Sequence, residues 1–257
     1  MGLIPEYVTP APGAAAPAGW VALYNLDCTA EGDWDFLGTP GPSAGPSYTD
    51  SLGATWDTAD DTINGEGNAS VLGFQDGVGL VITTSGAGNV SLGQQVADLV
   101  GAYDLKDYDR LLLVLDADSS GLTHNSDYVY LAVGDRDWTT NSHRAQRYYF
   151  AGDGVGLGLR DGGANYTSNV SSGPDALALL YSDQGARAYY RASYAAPLSS
   201  WTAIDSHGSW NPQPSTQSVR PLPTDAWLTA NVARGGGTDI TVTIRRIAVF
   251  GWAPAWR

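Results

Sequence analysis

The sequence predicts an all-β protein, a two-sheet antiparallel sandwich or jelly roll carrying an extended N-terminal arm. Three observations predict it. Helix formers are scarce: Glu6, Glu31 and Glu66 are the only glutamates and Lys106 the only lysine, and Glu and Lys are among the residues that helices use most. Turn formers and strand formers are plentiful, with 32 Gly and 14 Pro beside 9 Trp and 14 Tyr, a composition that suits many strands joined by many turns. Finally, ten or more strand-length apolar segments are separated by turn residues, the pattern of two packed sheets. No repeat recurs at fixed spacing, which argues against a propeller or β-helix.

Taken in order, residues 1–19 form an arm. Pro5, Pro10, Pro12 and Pro17 alternate with Ala and Gly, so the arm cannot build a core and prefers extended backbone. A neighbouring chain is the simplest thing to hold it. Residues 20–257 form the sandwich. "GWVALYNLD" (19–27) alternates as a strand should, and 38–70 read as long loops with one short strand. "GVGLVITTS" (77–85) is a strand, and "SLGQQVADLVGAY" (91–103) is the single expected helix, with Ser91 as its N-cap. "DRLLLVLDAD" (109–118) is apolar without interruption, which predicts a strand buried on both faces. Strands follow at 127–135, 144–152, 154–162, 175–183 and 186–194.

The chain closes on strand, Gly-rich turn and strand. Ile240, Val242 and Ile244 share one face, and Thr241, Thr243 and Arg245 the other. After Arg246 the apolar parity changes to Ile247 and Val249. That change predicts a bulge or a switch of buried face at the arginine pair.

Charge excludes several classes. The formal net charge is −14, which repels phosphate backbones and anionic lipid surfaces, so neither nucleic acid nor membrane is an expected partner. No apolar run is long enough to form a spanning helix. The first residues carry no basic region followed by an apolar stretch, so no secretory leader is expected in them. Cys28 is the one cysteine. It permits no intrachain disulfide, and its place beside an apolar alternation suits a buried thiol.

The closing pattern "WLTANVARGGGTDITVTIRRIAVFGW" resembles the final hairpin of concanavalin A-like and carbohydrate-binding sandwiches, and the strands from Tyr128 to Tyr194 are compatible with it. A Pro/Ala-rich arm leading into such a sandwich resembles the virion proteins of tailed phages. The resemblance implies a concanavalin A-like or jelly-roll sandwich in a virion structural role, with glycan contact as a companion property.

Several constellations have residues suited to chemistry. "DADSSGLTHNSD" (116–127) carries Asp116, Asp118, Ser120 and Asp127 at calcium-loop spacing, with Gly121 for the turn and the Leu122 carbonyl as a further oxygen. Against that, its flanks read as strands, and Asp, Ser, Asn and Gly are also the residues of any polar strand connection. Calcium is the one cofactor the residues suggest. "WDTADD" (56–61) is acidic and reads as a solvated turn. Asp135, Asp137 and Trp138, with Trp201 and Trp210 in a long polar loop, are candidate carbohydrate contacts, because carboxylates accept from hydroxyls and rings stack on sugar faces. Pro5, Tyr7, Pro10, Pro12 and Pro17 mark the assembly arm.

No paired Glu lies in a core strand, as a two-carboxyl glycosidase would favour. No nucleophile elbow, zinc helix or phosphate loop is present either. The expected function is therefore a non-enzymatic component of a phage particle, a capsid decoration or tail/fibre protein assembled in the bacterial cytoplasm. Its partners would be other virion proteins and copies of itself. The rival readings are a glycan- or receptor-binding module on the particle surface, and a polysaccharide-degrading enzyme.

Overall fold

In the computed structural model the chain is an all-β sandwich of two antiparallel sheets with almost no helix. The structure describes residues 7–8, 19–31, 35–36, 47–60, 69–84, 88–101, 103–118, 121–122, 127–134, 143–150, 154–161, 164–170, 176–182, 185–191, 202–203, 226–234 and 239–253. In chain order the strands are β1 (Tyr7–Val8), β2 (Gly19–Asp27), β3 (Asp35–Phe36), β4 (Ser47–Thr49), β5 (Thr55–Asp60), β6 (Ala69–Gln75), β7 (Gly79–Thr84), β8 (Gly88–Gln95), β9 (Arg110–Asp118), β10 (Tyr128–Gly134), β11 (His143–Phe150), β12 (Gly154–Asp161), β13 (Ala164–Val170), β14 (Ala176–Ser182), β15 (Gly185–Arg191), β16 (Thr202–Ala203), β17 (Trp227–Arg234) and β18 (Ile240–Ala253).

The larger sheet runs β16-β15-β14-β9-β18-β7-β6-β3, and β2 adds to β18 beside β7. The smaller sheet runs β13-β12-β11-β10-β17-β8-β5-β4. β18 is long enough to be shared. Its first half pairs with β7 (Ile240↔Thr84 to Ile244↔Leu80) and its second half with β2 (Arg246↔Asp27 to Ala253↔Gly19). Its other edge pairs with β9 from Thr243↔Asp118 to Trp252↔Arg110. The C-terminal strand thus sits at the centre of the larger sheet.

Between the sheets lies the main core. Leu111, Leu113, Leu115, Leu177, Leu179, Ile247 and Val249 come from the larger sheet, and Val129, Leu131, Val133, Leu228 and Val232 from the smaller. The alternation of β9 explains its uninterrupted apolar run. The odd positions face this core, while Leu112 and Val114 join Trp20, Ala22, Ala178, Ala248 and Phe250 in a second buried cluster on the outer side of the same sheet. A strand buried on both faces has no polar side to present, as the sequence led us to expect.

Two local readings are corrected. The expected helix over 91–103 is strand in its first five residues. Residues Gly88–Gln95 form β8, and only Val96–Val100 are helical (α1), capped by no side chain of Gln95. Ser91 is a strand residue paired with Asn231, not an N-cap. Ladders to β17 and β5 on both edges outweigh the weak local helix preference of "SLGQQ". Likewise "WDTADD" is no solvated turn: Trp56–Asp60 lie in β5, paired with β4 and β8, and Trp56 is fully buried.

Candidate functional site

The expected bulge at the arginine pair is present: the β18–β9 register shifts between Ile244 and Arg246. An inserted residue changes which side of the sheet each following residue faces. Before the shift Ile240, Val242 and Ile244 enter the core, and after it Ile247 and Val249 do. Two consecutive arginines are therefore turned to the same, outer side of the larger sheet.

Asp116 and Asp118 occupy alternate positions of β9 and meet them there. Arg246 Nε lies 3.6 Å from Asp116 Oδ2, and Arg245 Nη2 lies 4.0 Å from Asp118 Oδ2. The two pairs differ in environment: the Asp116 side chain is 4% exposed and that of Asp118 38%. Asp27, at the end of β2, is the register partner of Arg246 on its other side and is exposed. Its Oδ1 accepts from Thr29 N at 3.0 Å and from Thr29 Oγ1 at 2.6 Å, so its direction is fixed. The result is a strip of three carboxylates and two guanidiniums across three strands, half open to solvent.

This arrangement gives the calcium-loop spacing another use. A loop that wraps an ion must curl, whereas Asp116 and Asp118 lie in extended backbone laddered to β18 and matched by arginines. Leu122 is buried in the core, and Asp127 is fully buried. Gly121 is explained by crowding: a Cβ there would stand 2.6 Å from the Thr241 carbonyl oxygen of β18. Ser120 lies outside the described residues. Among the described residues no three His, Cys, Asp or Glu side chains converge as a metal set.

A second polar cluster closes one end of the sandwich, and only the structure reveals it. Asp50 Oδ1 accepts from the N–H groups of Leu52 (2.9 Å) and Ala54 (3.0 Å), which fixes the β4–β5 turn. Its Oδ2 accepts from Trp56 Nε1 at 2.7 Å and from the Tyr24 hydroxyl. Glu31 accepts from Ser51 N at 3.0 Å, from the Ser51 hydroxyl and from the Tyr48 hydroxyl. Burial, then these carboxylate partners, push the hydroxyls of Tyr24 and Tyr48 well above the usual tyrosine range. Both carboxylates are buried and saturated with donors, so the cluster ties a turn and the end of β2 together. Cys28 beside it is fully buried, and burial raises its thiol far above the ordinary value. It is the inert thiol its flanking residues suggest.

Of the candidate carbohydrate contacts, Asp135, Asp137, Trp138, Trp201 and Trp210 all lie outside the described residues. The charged feature not singled out as a candidate site at the sequence level is the Arg245–Arg246 pair. The signal was present, since a parity change falling on two like charges opposite an alternating "DAD" strand pairs charges across the ladder.

No family model matches the chain, and no curated protein matches it. Solved structures do. A Trypanosoma rangeli sialidase matches with a TM-score of 0.48 and 17% identity over 93% of this chain and 32% of the sialidase. A xylan β-1,4-xylosidase of Bacillus halodurans matches with a TM-score of 0.45 and 9% identity over 76% of this chain and 36% of that one. An immunostimulatory antigen and pseudo β-1,3-glucanase of Mycobacterium tuberculosis matches with a TM-score of 0.45 and 13% identity over 90% and 98%. The chain thus spans about a third of the length of the two enzymes. At these identities the likeness is one of architecture, and the activities named belong to those proteins. The expectation of a non-enzymatic capsid-decoration or tail protein has no counterpart among these three structures, a sialidase, a xylosidase and a pseudo-glucanase. The virion reading is withdrawn, and with it the expectation that the chain is not an enzyme.

Proposed function

We propose that this chain is a carbohydrate-directed β-sandwich whose ligand site is the charged strip of Asp27, Asp116, Asp118, Arg245 and Arg246. The observation that carries this reading is the β18 bulge, which sets both arginines on the outer face opposite two alternating aspartates. A sugar hydroxyl donates and accepts at once. A carboxylate only accepts and a guanidinium only donates, so alternating them meets both needs along a saccharide. The ion pairs also hold the side chains in place before a ligand arrives, which lowers the ordering cost of binding. Asp118 and Arg245, the more open pair, make the direct contacts in this reading, and Asp116 with Arg246 positions them. Trp201, immediately before β16 at the edge of the same sheet, and Trp210, Asp135, Asp137 and Trp138 are proposed as loop contacts.

The test is affinity electrophoresis against a panel of soluble polysaccharides, with release of reducing ends followed in parallel. Asp118→Asn with Arg245→Gln is expected to weaken retention by about tenfold or more, the loss of one to two charge-assisted hydrogen bonds, while leaving the melting temperature unchanged. Undiminished retention by the double variant, or retention of the parent chain by none of the polysaccharides, refutes the reading.

A further inference from the structure

The N-terminal arm places a strand on the sandwich. β1 pairs in parallel with β2, Tyr7 opposite Trp20 and Val8 opposite Val21. It lies on the β2 edge away from β18. Trp20 and Val21 are buried, at 6% and 0% exposure. β1 covers only this start of a nine-residue strand.

We infer that β2 is the acceptor for the arm of a second copy of this chain, so that two copies exchange β1 strands in a two-fold dimer. A parallel pair within one chain needs a crossover of about a dozen residues or more. Here only residues 9–18 join β1 to β2, and Pro10, Pro12 and Pro17 lie in that segment. Proline fixes φ and favours an extended path of about 3.1 Å per residue. The composition of the connection therefore resists the reversal that the intramolecular pair demands, and favours a straight run to a neighbour. The Tyr7–Val8 ladder itself is the same whether the arm comes from its own chain or from a partner. Connection length and stiffness then set the balance, which is the condition under which strand exchange costs little. A two-residue ladder is weak alone, but reciprocal exchange makes two of them at once and the second forms at high effective concentration.

The experiment is size-exclusion chromatography with light scattering across a wide range of protein concentration on three full sandwiches. These are the parent chain, a chain lacking residues 11–16, and Val8→Pro, which removes an N–H from β1. Dimer in the parent should grow with concentration. The shortened connection cannot close on its own β2, so its dimer affinity should rise about tenfold or more. Val8→Pro should be monomeric, with the near-ultraviolet circular dichroism of the parent confirming that its sandwich is folded. A shortened chain no more dimeric than the parent overturns the inference, and so does a Val8→Pro chain that dimerises as well as the parent.

Discussion

A Cβ added to Gly251 would fall on the ring of Tyr108, closer than side chains approach one another. Gly251 lies in β18 opposite Leu111 of β9 and Val21 of β2, and the backbone beside it is tied by Asp109 N donating to the Trp252 carbonyl at 3.0 Å. Neither partner can withdraw, so Gly251→Ala should cost about 1–3 kcal/mol of stability, the range for overfilling a packed site. Urea unfolding measures it, with the midpoint lowered at unchanged slope. Gly79 is constrained twice over, by φ of 129° and by the Ile244 carbonyl, which an added Cβ would strike. At this scale Gly79 and Gly251 are places where another group lies against the backbone, which a composition count cannot distinguish from turns.

At the scale of the element, β18 carries the functional argument. Its bulge spends one residue to aim two arginines at one face, and the two ion pairs differ in burial enough to separate their energies. Arg246→Ala removes a cation from beside the nearly inaccessible Asp116 carboxylate and should destabilise the fold by about 1–3 kcal/mol. Arg245→Ala releases Asp118 into water and should cost about 0–1 kcal/mol. Thermal unfolding of the two variants side by side checks the order. Equal losses would mean that the bulge, not the burial of Asp116, sets the stability of this region. Position 245 is thus the better place to probe ligand contact, because its substitution perturbs the scaffold less.

For the whole molecule, the buried tyrosines set the alkaline limit. Burial first, with Tyr103 and Asp107 nearby, pushes the Tyr108 hydroxyl up to about 12. Tyr24 and Tyr48 are raised further. An unfolded tyrosine ionises near pH 10. Below that value both states keep the proton and these groups contribute no pH dependence. Above it the unfolded chain releases protons that the folded chain still holds, so stability falls as pH rises from about 10 through about 12 and beyond. Urea midpoints at a series of pH values should begin to fall near pH 9, where an unfolded Cys28 would ionise and the buried thiol does not, and fall more steeply above about 10, and Tyr24→Phe should flatten part of the steeper fall. A midpoint independent of pH across this window would show that the hydroxyls are open to solvent. The topology belongs to this scale too. β2 near the start and β18 at the end pair directly, so the fold closes only through contacts of large sequence separation.

Much of this was legible in residues alone. The all-β class followed from scarce Glu and Lys and abundant turn formers, and the double burial of β9 from "RLLLVL". The bulge followed from a parity change at Arg245 and Arg246. Each of these is a local pattern, because side-chain alternation in a strand is set by the backbone of that strand. What the sequence could not decide was which strands are neighbours. "SLGQQ" became strand because β5 and β17 flank it, and "WDTAD" became strand between β4 and β8 with Trp56 in the core. Asp116 and Asp118 found arginines more than a hundred residues away. Glu31, Asp50, Tyr24 and Tyr48 have no common motif and meet only where a turn, a helical turn and two strands converge. Sequence by itself determined the kind of strand each segment makes. Tertiary structure alone decided which charges face one another, since pairing across a sheet depends on register and strand order, and neither is written in any single segment.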